Sequence, residues 1–387
     1  MEFVPLGAVA SVKSGYAFKS KDWTEGGVPV IKITNVKKGF VSLDGCSFVT
    51  EAVAQSAAAF ELRPGDILIS MTGYIGEVAR VRDEGRMLLN QRVGKFSVKN
   101  PTRLDNDFLF YCLRDPELKS KFAAHAYGAA QPNISPSLIE QQVIPLPALP
   151  IQRRIASVLS AYDDLIKNSQ RRIKILEEMA RSLYREWFVN FRYPGHESVP
   201  LVSSPLGEIP QGWEGRRLFD LTKVGYGKNL PTKKLSDDGA YPVYGAAKII
   251  GRYTEYTREN RTIICGCRGS VGEMQITQRQ CYVTNNSFTF DPLHQYDFFW
   301  LFHTLKERGL RDVVGGAAQP QITLEGISSV ELVTPPSLLR NQFQEVVTAI
   351  FEQIWVLDDQ VENLRRTRDL LLPRLLSGQI DVEAMAA

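Results

Sequence analysis

Residues 71–77 read Met71-Thr-Gly73-Tyr-Ile-Gly76-Glu77, and residues 267–273 repeat this pattern as Cys267-Arg-Gly269-Ser-Val-Gly272-Glu273. A second pair follows further along the chain, with Gly-Ala-Ala-Gln-Pro-Asn-Ile at 128–134 and Gly-Ala-Ala-Gln-Pro-Gln-Ile at 316–322. The spacing between copies is 196 residues for the first pair and 188 for the second. A nearly constant offset over so long a stretch predicts a duplicated structural unit.

Each copy begins with a strand-rich region and ends in a proline break and a long helix. Short β-rich runs at 28–33, 66–70, 77–81 and 94–98 are separated by glycine and proline, and 105–124 is predicted to form one helix. The absence of a regular βαβ alternation predicts an α+β (mixed α/β) fold. We expect this order of parts: a first globular domain at 1–150, a long helix at 151–193, a linker at 194–212, a second globular domain at 213–336 and a second long helix at 337–380.

Both long helices have an apolar stripe. In the first, apolar residues recur in steps of three and four from Ile151 through Leu165 to Trp187, over about 38 residues, or roughly 57 Å of helix. In the second, the stripe runs from Phe343 to Leu375 and only Arg368 interrupts it, while Pro373 predicts a kink or an end. Amphipathic helices of this length must bury their stripes. We expect the two helices to form an antiparallel coiled coil, although packing on their own globules or dimerisation is also open.

Composition excludes several classes of protein. The chain has 387 residues, room for two or three domains, and no apolar run of the ~18–20 residues that a membrane span needs. Its start lacks the basic residues of a secretory signal, so we expect a cytoplasmic protein. Five scattered cysteines argue against a disulfide framework, and neither Cys265-Gly-Cys267 nor the four histidines has the spacing of a metal site. The net charge of +3 neither requires nor excludes nucleic-acid binding.

Motifs for catalysis are missing from both copies. The sequence contains no Gly-x4-Gly-Lys-Ser/Thr phosphate loop, no Asn/Asp-Pro-Pro-Tyr/Phe methyltransferase site and no Gly-x-Ser-x-Gly nucleophile turn. The glycine tetrads at 73–76 and 269–272 are too short for dinucleotide loops and predict tight turns. We therefore expect a binding protein with no catalytic residues and no metal.

Polar residues that could contact a nucleic acid occur in both copies. Asn and Gln can pair with adenine and Arg with guanine, whereas Lys mostly contacts phosphates. Gln131 and Gln319 could equally cap the last strand and fix the angle between globule and helix, which is the interpretation we favour. The candidates are Lys32, Asn35, Lys37, Lys38, Tyr74, Gln91, Arg92, Gln131, Lys223, Tyr226, Lys228, Lys233, Lys234, Arg268, Asn285, Asn286 and Gln319.

The end of the first long helix is aromatic. Tyr184, Trp187 and Phe188 lie within its last predicted turns. They could dock a partner subunit or pack beneath the linker, and the sequence supports both interpretations equally.

Several motifs, taken in order, identify a family. They are Val4-Pro-Leu-Gly near the start, Leu62-Arg-Pro-Gly-Asp66, the two Gly-Ala-Ala-Gln-Pro-x-Ile segments, Ile144-Pro-Leu-Pro followed by Gln152-Arg-Arg-Ile155, and Leu370-Leu-Leu-Pro-Arg-Leu-Leu-Ser-Gly378. Over nearly its whole length the chain resembles the DNA specificity subunits of type I restriction–modification systems. Each motif is loose by itself, but their order and duplication are specific.

The resemblance implies a division of labour. Each globule would be a target recognition domain that reads one half of a bipartite, asymmetric site in double-stranded DNA, and the helices would set the gap between the halves. Methyltransferase subunits would dock on the chain and carry S-adenosylmethionine, and restriction subunits would use ATP and Mg. This chain would bind no cofactor. Two alternatives remain: a two-domain scaffold that binds proteins rather than DNA, and a fused enzyme with an unrecognised site.

Overall fold

The computed structural model describes residues 2–126, 132–316 and 319–382, which form two compact units. Unit 1 comprises Met1–Ser169 and Gln360–Ala387, and unit 2 comprises Gln170–Asp359. Each unit therefore contains part of both long helices. The two predicted long helices are present, at Leu149–Tyr184 and Ser337–Leu376.

Unit 1 contains three sheets and several short helices. Its strands are β1 Glu2–Pro5, β2 Ala10–Ser14, β3 Trp23–Thr24, β4 Val28–Ile31, β5 Val36–Lys37, β6 Gly39–Val41, β7 Ser47–Val49, β8 Glu61–Leu62, β9 Ile67–Ser70, β10 Val78–Arg80, β11 Met87–Leu89, β12 Val93–Val98 and β13 Val143–Leu146. Its α-helices are α1 Leu6–Val9, α2 Glu51–Ser56, α3 Asn106–Cys112, α4 Pro116–Ala124, α5 Pro136–Glu140 and the first part of α6 Leu149–Tyr184. The strand orders are β2-β12-β9-β10-β6-β5, β3-β7-β4-β11-β8 and β1-β13.

Unit 2 contains the remaining strands. They are β14 Leu201–Ser204, β15 Gly207–Pro210, β16 Glu214–Arg217, β17 Thr222–Tyr226, β18 Tyr241–Gly245, β19 Lys248–Tyr253, β20 Ile263–Gly266, β21 Met274–Ile276, β22 Tyr282–Val283, β23 Ser287–Pro292, β24 Val314–Gly315, β25 Gln321–Ile322 and β26 Glu331–Thr334. Its helices are the end of α6 with a π-helical turn at Arg185–Val189, α7 Phe298–Arg308, α8 Leu324–Ser328 and the first part of α9 Ser337–Leu376.

Short 3-10 helices connect these elements. They lie at Ser20–Asp22, Ile33–Asn35, Ala58–Phe60, His196–Ser198, Leu218–Asp220, Thr232–Lys234, Gln295–Asp297 and Arg311–Val313.

The sheet topology repeats between the units, as the duplicated sequence predicts. The order β2-β12-β9-β10 in unit 1 corresponds to β17-β23-β20-β21 in unit 2, with antiparallel neighbours in both. A parallel pair also recurs, β4 with β11 and β18 with β22. The terminal antiparallel pair β1–β13 corresponds to β16–β26. The prediction of two similar α+β domains is confirmed.

The predicted helix at 105–124 is instead two helices. The Asp105 side chain accepts hydrogen bonds from the amides of Asp107 and Phe108 and so begins α3. Pro116 has no amide hydrogen to bond the carbonyl of Cys112, so α3 cannot continue through it, and the proline occupies the first turn of α4 instead. The prediction of one helix missed this break.

The core of unit 1 includes both long helices. Phe108 and Tyr111 of α3 are buried together with Ile155 and Leu159 of α6 and with Leu372, Leu375 and Leu376 of α9. Further along, Asp163 of α6 meets Arg368 of α9. Residue numbers rise along α6 as they fall along α9, so the helices are antiparallel in this unit.

The core of unit 2 has the same construction with the opposite ends of the helices. Phe343 is fully buried among Tyr184 and Phe188, with ring centroids 6.1 and 5.0 Å away. Val347, Phe351 and Ile354 continue the α9 stripe into the same core. The prediction that the helices bury their stripes against each other is confirmed within each unit.

One residue of the predicted α6 stripe is wrong. Leu165 is 53% exposed, whereas its neighbours Leu159, Asp163 and Ile166 are buried.

The interruption of the α9 stripe at Arg368 is explained by a buried partner. The buried Asp163 carboxylate accepts bonds from Arg368 Nη1, from Arg114 Nη1 at 3.2 Å and from Tyr111 Oη at 2.9 Å. Burial, with the nearby Asp163 charge, raises the pKa of Tyr111, so its hydroxyl stays a donor. This polar cluster therefore fixes the position of α9 against α6 in unit 1.

Equivalent residues connect each globule to the first turn of its long helix. In unit 1, buried Gln152 accepts from the Asp105 amide at 2.8 Å and donates to the carbonyls of Arg103 and Pro147. In unit 2, Arg340 donates to the Pro335 carbonyl at 3.0 Å and to the buried carboxylate of Asp297. Both residues hold the proline break against the start of a buried globule helix, so the globule–helix angle is set by polar contacts.

Replacement of Arg368 tests the polar cluster. We expect Arg368→Met to destabilise unit 1 by about 3 kcal/mol, because it leaves part of the buried Asp163 carboxylate without its partner. Native-state hydrogen exchange of the Leu109–Cys112 amides in α3 measures this free energy. Arg365→Met, an exposed arginine on the same helix, is the matched control and should change it by less than about 0.5 kcal/mol. Equal effects of both variants would contradict the assignment.

His303 in α7 is buried without a hydrogen-bond partner for its Nε2 among the described residues. Its ring stacks on Tyr184, whose hydroxyl donates to Thr304 at 3.1 Å. Burial, and to a lesser extent the charges of Lys306 and Arg181, lowers the pKa of His303 to about 3. The ring is therefore neutral in the folded protein at every pH near neutrality.

This histidine predicts that unit 2 is sensitive to mild acid. The unfolded histidine takes up a proton below about pH 6.5 and the folded one does not, so stability is full above that pH and falls as the pH drops. From pH 7 to 5 we expect a loss of about 2 kcal/mol from this group. Urea denaturation followed by tryptophan fluorescence measures it, since four of the five tryptophans (Trp187, Trp213, Trp300 and Trp355) lie in unit 2.

The control for this effect is another histidine of unit 2. His303→Phe should remove the loss between pH 7 and 5, whereas His294→Phe, at an exposed position, should keep it. An unchanged pH dependence in the His303 variant would show that other groups cause it.

Candidate nucleic-acid interface

The two glycine tetrads form the same loop at the end of equivalent strands. After β9, the Ser70 amide donates to the Glu77 carbonyl at 2.9 Å and the Gly76 amide to the Ser70 carbonyl at 3.0 Å. After β20, Gly266 and Gly272 make the corresponding two bonds, both at 2.9 Å. Gly73, Gly76, Gly269 and Gly272 all have φ between +72° and +81°, which suits glycine. The prediction of tight turns is confirmed.

Two further segments are tied to this loop in the same way in both units. In unit 1 the Met71 amide donates to the Arg92 carbonyl at 3.1 Å, and the Ile134 amide to the Met71 carbonyl at 2.9 Å. In unit 2 the Cys267 amide donates to the Asn286 carbonyl at 2.9 Å, and the Ile322 amide to the Cys267 carbonyl at 3.0 Å. The glycine loop, the turn before β12 or β23 and the segment after Gln-Pro are therefore joined by hydrogen bonds into one backbone frame.

A fourth segment joins this frame through a glycine that cannot be replaced. The Gly15 amide donates to the Val93 carbonyl at 3.2 Å, and the Gly227 amide to the Ser287 carbonyl at 3.0 Å. A Cβ would lie 2.2 Å from the Leu89 oxygen at Gly15 and 2.3 Å from the Thr284 oxygen at Gly227, so no side chain fits at either position. The frame extends to the end of β2 and of β17.

Equivalent positions on this frame have different side chains in the two units. We call these six positions the matched face of each unit. The pairs, unit 1 first, are Ser14 and Tyr226, Tyr16 and Lys228, Thr72 and Arg268, Gln91 and Asn285, Arg92 and Asn286, and Asn133 and Gln321. In unit 1, all of these except Tyr16 line a polar concavity of about 450 Å³.

Side-chain bonds hold one pair of positions together in each matched face. In unit 1, Thr72 Oγ1 donates to Asn133 Oδ1 at 2.8 Å. In unit 2, Arg268 Nε donates to Gln321 Oε1 at 3.3 Å. The geometry is the same, but a hydroxyl–amide pair is replaced by a guanidinium–amide pair. The two faces therefore offer different hydrogen-bonding groups from one frame.

The structure brings about half of the predicted contact residues to the matched faces. Gln91 and Arg92 are exposed on the turn in unit 1, and Tyr74 lies on the glycine loop, 78% exposed. Those on the face of unit 2 are Tyr226, Lys228, Arg268, Asn285 and Asn286.

The first lysine cluster lies elsewhere in unit 1. Lys32 places its ammonium 3.7 Å from the Trp23 ring centroid and 2.6 Å from Ser47 Oγ, and burial lowers its pKa. Asn35 is buried and its amide bonds the backbone of Lys32 and Ser42. Lys38 pairs with Asp369 of α9 at 3.1 Å, and Lys37 is exposed on β5.

The remaining candidates are also separate from the faces. Lys223 lies on β17 opposite Asp291, away from the Tyr226 end of the strand, and Lys233 and Lys234 are exposed on a 3-10 helix. Gln319 is exposed, while Gln131 lies outside the described residues.

The aromatic end of α6 is packed inside unit 2. Tyr184 and Phe188 are 5% and 8% exposed, in the core with Phe343 and Trp213, and Trp187 is partly buried there. Little of Tyr184 or Phe188 is accessible to a partner in this arrangement. Docking of a partner through this segment is not tested and stays a prediction.

Five residues of the matched faces were not predicted from the sequence: Ser14, Tyr16, Thr72, Asn133 and Gln321. A signal for three of them was present, because they occupy equivalent positions within the repeated motifs and differ between the copies. Ser14 and Tyr16 had no such signal, since the match of β2 to β17 is visible only in the sheet pairing.

Two other features of the described residues bear on function. Within 2–126, 132–316 and 319–382, no group of three or more His, Cys, Asp or Glu side chains is arranged to hold a metal ion. Among the same residues, no helix is both long and apolar enough to cross a membrane.

Comparisons with known proteins agree with the repeated fold. The family model described as the type I restriction modification DNA specificity domain matches residues 1–178 and 210–362. The MjaIX specificity subunit of Methanocaldococcus jannaschii is 24% identical over 95% of this chain and 90% of its own length. The HindI specificity subunit of Haemophilus influenzae is 23% identical over 71% of this chain and 77% of its own.

A solved structure has a related fold. The crystal structure of a type I restriction–modification S subunit from M. genitalium covers 97% of this chain and 96% of its own, with 18% identity and a TM-score of 0.57. The family model covers most of both units, and the chain therefore belongs to the family of type I restriction–modification DNA specificity subunits.

Proposed function

We propose that this chain gives a type I restriction–modification complex its DNA sequence specificity, with each unit reading one half of a bipartite site through its matched face. The supporting observation is that one backbone frame carries exposed Gln91 and Arg92 with buried Thr72 in unit 1, but exposed Arg268 and Asn286 with half-buried Asn285 in unit 2. A constant frame with different polar side chains suits recognition of two different sequences. Each matched contact to a base is worth about 1–3 kcal/mol of discrimination.

The family supports DNA specificity over the protein-binding scaffold. The chain would select the target DNA sequence, while docked methyltransferase subunits would bind S-adenosylmethionine and methylate adenine. Restriction subunits would add ATP- and Mg-dependent translocation and cleavage. Methylation and cleavage of cellular DNA take place in the cytoplasm, so we expect the complex there.

The other predicted contacts complete the proposal in order of accessibility. Tyr74 is exposed on the glycine loop and can reach DNA beside the matched face of unit 1, and Lys37 is exposed on β5 and suits a phosphate contact. Lys223, Lys233, Lys234 and Gln319 are exposed in unit 2 and suit phosphate or sugar contacts. Lys32 and Asn35 have internal partners, so we expect them to support the fold around the site. The domain boundaries expected from the sequence, 1–150 and 213–336, delimit the two proposed target recognition domains.

The methylome of a suitable host tests the proposal. We would express the chain with its methyltransferase partner in bacteria that lack adenine methylation and map the modified bases. We expect methylated adenines in one split motif with two different halves and a fixed gap, because the two matched faces differ. Expression of the methyltransferase without this chain is the control and should leave that motif unmodified.

The opposite result has a clear meaning. If the complex forms and yet no split motif is methylated, specificity does not reside in this chain. The salt dependence of DNA affinity of the same complex then distinguishes DNA binding from the scaffold alternative. Binding through phosphates weakens steeply with salt.

The long helices predict a change of gap without a change of halves. We would insert seven residues after Ser169 in α6 and seven after Asp359 in α9, where the two units divide. Seven residues preserve the heptad spacing and add about 10 Å of helix, or roughly three base pairs. We expect a longer gap in the methylated motif, with both half-sites unchanged.

A matched insertion controls for added length. The same seven residues placed between Pro205 and Leu206, in the turn of the β14–β15 hairpin, should leave gap and halves as they are. Altered half-site sequences after the helix insertions would contradict a spacing role for the helices.

A further inference from the structure

We infer that Arg268 reads a guanine in the half-site of unit 2 and that Gln321 is the positioning residue that holds it for this contact. The inference rests on the proposed function and adds the base and the two residues that select it. It starts from a side-chain bond within the matched face of unit 2, from Arg268 Nε to Gln321 Oε1.

The backbone on both sides of this bond is fixed. Arg268 follows Cys267 at the end of the fully buried strand β20, and its amide points to the Asn286 carbonyl at 3.4 Å. Gln321 lies in β25, paired with Gly315 of β24, and also forms a bridge with Arg268 itself. Residues on strands hold a side chain more accurately than residues on a free loop.

The bond also fixes the orientation of the guanidinium group. The bond to Gln321 uses the Nε donor of Arg268. Among the described residues the guanidinium group makes no further hydrogen bond, so Nη1 and Nη2 remain as donors. The side chain is exposed. Two such donors match the O6 and N7 acceptors of guanine in the major groove, which is the commonest base-specific contact of arginine. A planar group held by a second side chain loses less freedom on binding than an unsupported one.

The equivalent pair in unit 1 explains why the halves should differ. Thr72 occupies the position of Arg268 and Asn133 that of Gln321, and the bond between them uses a hydroxyl donor. Thr72 is too short and has the wrong groups for a bidentate contact to guanine. Guanine selection at this position is therefore expected in one half-site only.

Four variants in the methylome assay test the inference. Arg268→Lys keeps the charge and removes the fork, so we expect one position of one half-site to lose a preference for guanine of roughly ten- to hundredfold. Gln321→Leu should weaken the same preference partly. Gln321→Glu should retain it, because a carboxylate still accepts from Nε. Arg279→Lys, an exposed arginine of unit 2 outside the matched face, should leave the motif unchanged.

Each outcome decides between the proposals. A split motif in the wild type without guanine in either half, or a motif unchanged by Arg268→Lys, overturns the inference and leaves the proposed function standing. A uniform fall in methylation at every site after Arg268→Lys also overturns it, since that is the signature of a phosphate contact. Equal effects of Gln321→Leu and Gln321→Glu overturn the positioning role. A wild-type complex without any split motif is the failure of the proposed function itself.

Discussion

Burial of the two long apolar stripes is the constraint on which the rest of the structure depends. Most of the stability of a helix in a protein comes from the packing of its apolar face, and a buried Leu or Phe side chain stabilises the fold by roughly 1.5–3 kcal/mol. Ile155 and Leu159 of α6 with Leu372 and Leu375 of α9 supply part of one core, and Phe343 and Val347 with Tyr184 supply part of the other. Unit 2 is one continuous segment, Gln170–Asp359, whereas unit 1 combines Met1–Ser169 with Gln360–Ala387, so its globule depends on a segment that is synthesised much later.

Buried polar groups where the long helices meet their neighbours restrict these helices to one register. An apolar stripe can shift by a heptad and still be buried, whereas a buried charge pair fits one register. Asp163 with Arg368 has this role in unit 1, and Asp297 with Arg340 ties α9 to α7 in unit 2. Their net effect on stability is small because both charges lose water, so their value lies in selecting the arrangement. The angle between each globule and its helix follows from such contacts.

The sequence predicted the duplication, the α+β class and the paired helices because these depend on patterns that span many residues. Single residues were harder to predict. Arg368 resembled a flaw in the stripe, since its partner Asp163 lies 205 positions away. The helix break before Pro116 depends on one missing amide, which the apolar pattern around Phe108 concealed. Among the proposed contacts, Lys32 and Asn35 had the right chemistry but are used by their own fold. Thr72 and Gln321 become candidates only when the two copies are compared position by position.

The balance of charge supports a chain that discriminates more than it binds. Each phosphate that a protein cation neutralises contributes about 0.9 to the salt dependence of DNA affinity. The matched faces have few cations, Arg92 in unit 1 and Lys228 with Arg268 in unit 2. We therefore expect the partner subunits of the complex to supply most of the contacts to the DNA backbone. With affinity supplied elsewhere, a modest set of side chains on a rigid frame is sufficient to select a site, because a difference of about 1–3 kcal/mol at each base accumulates over two half-sites.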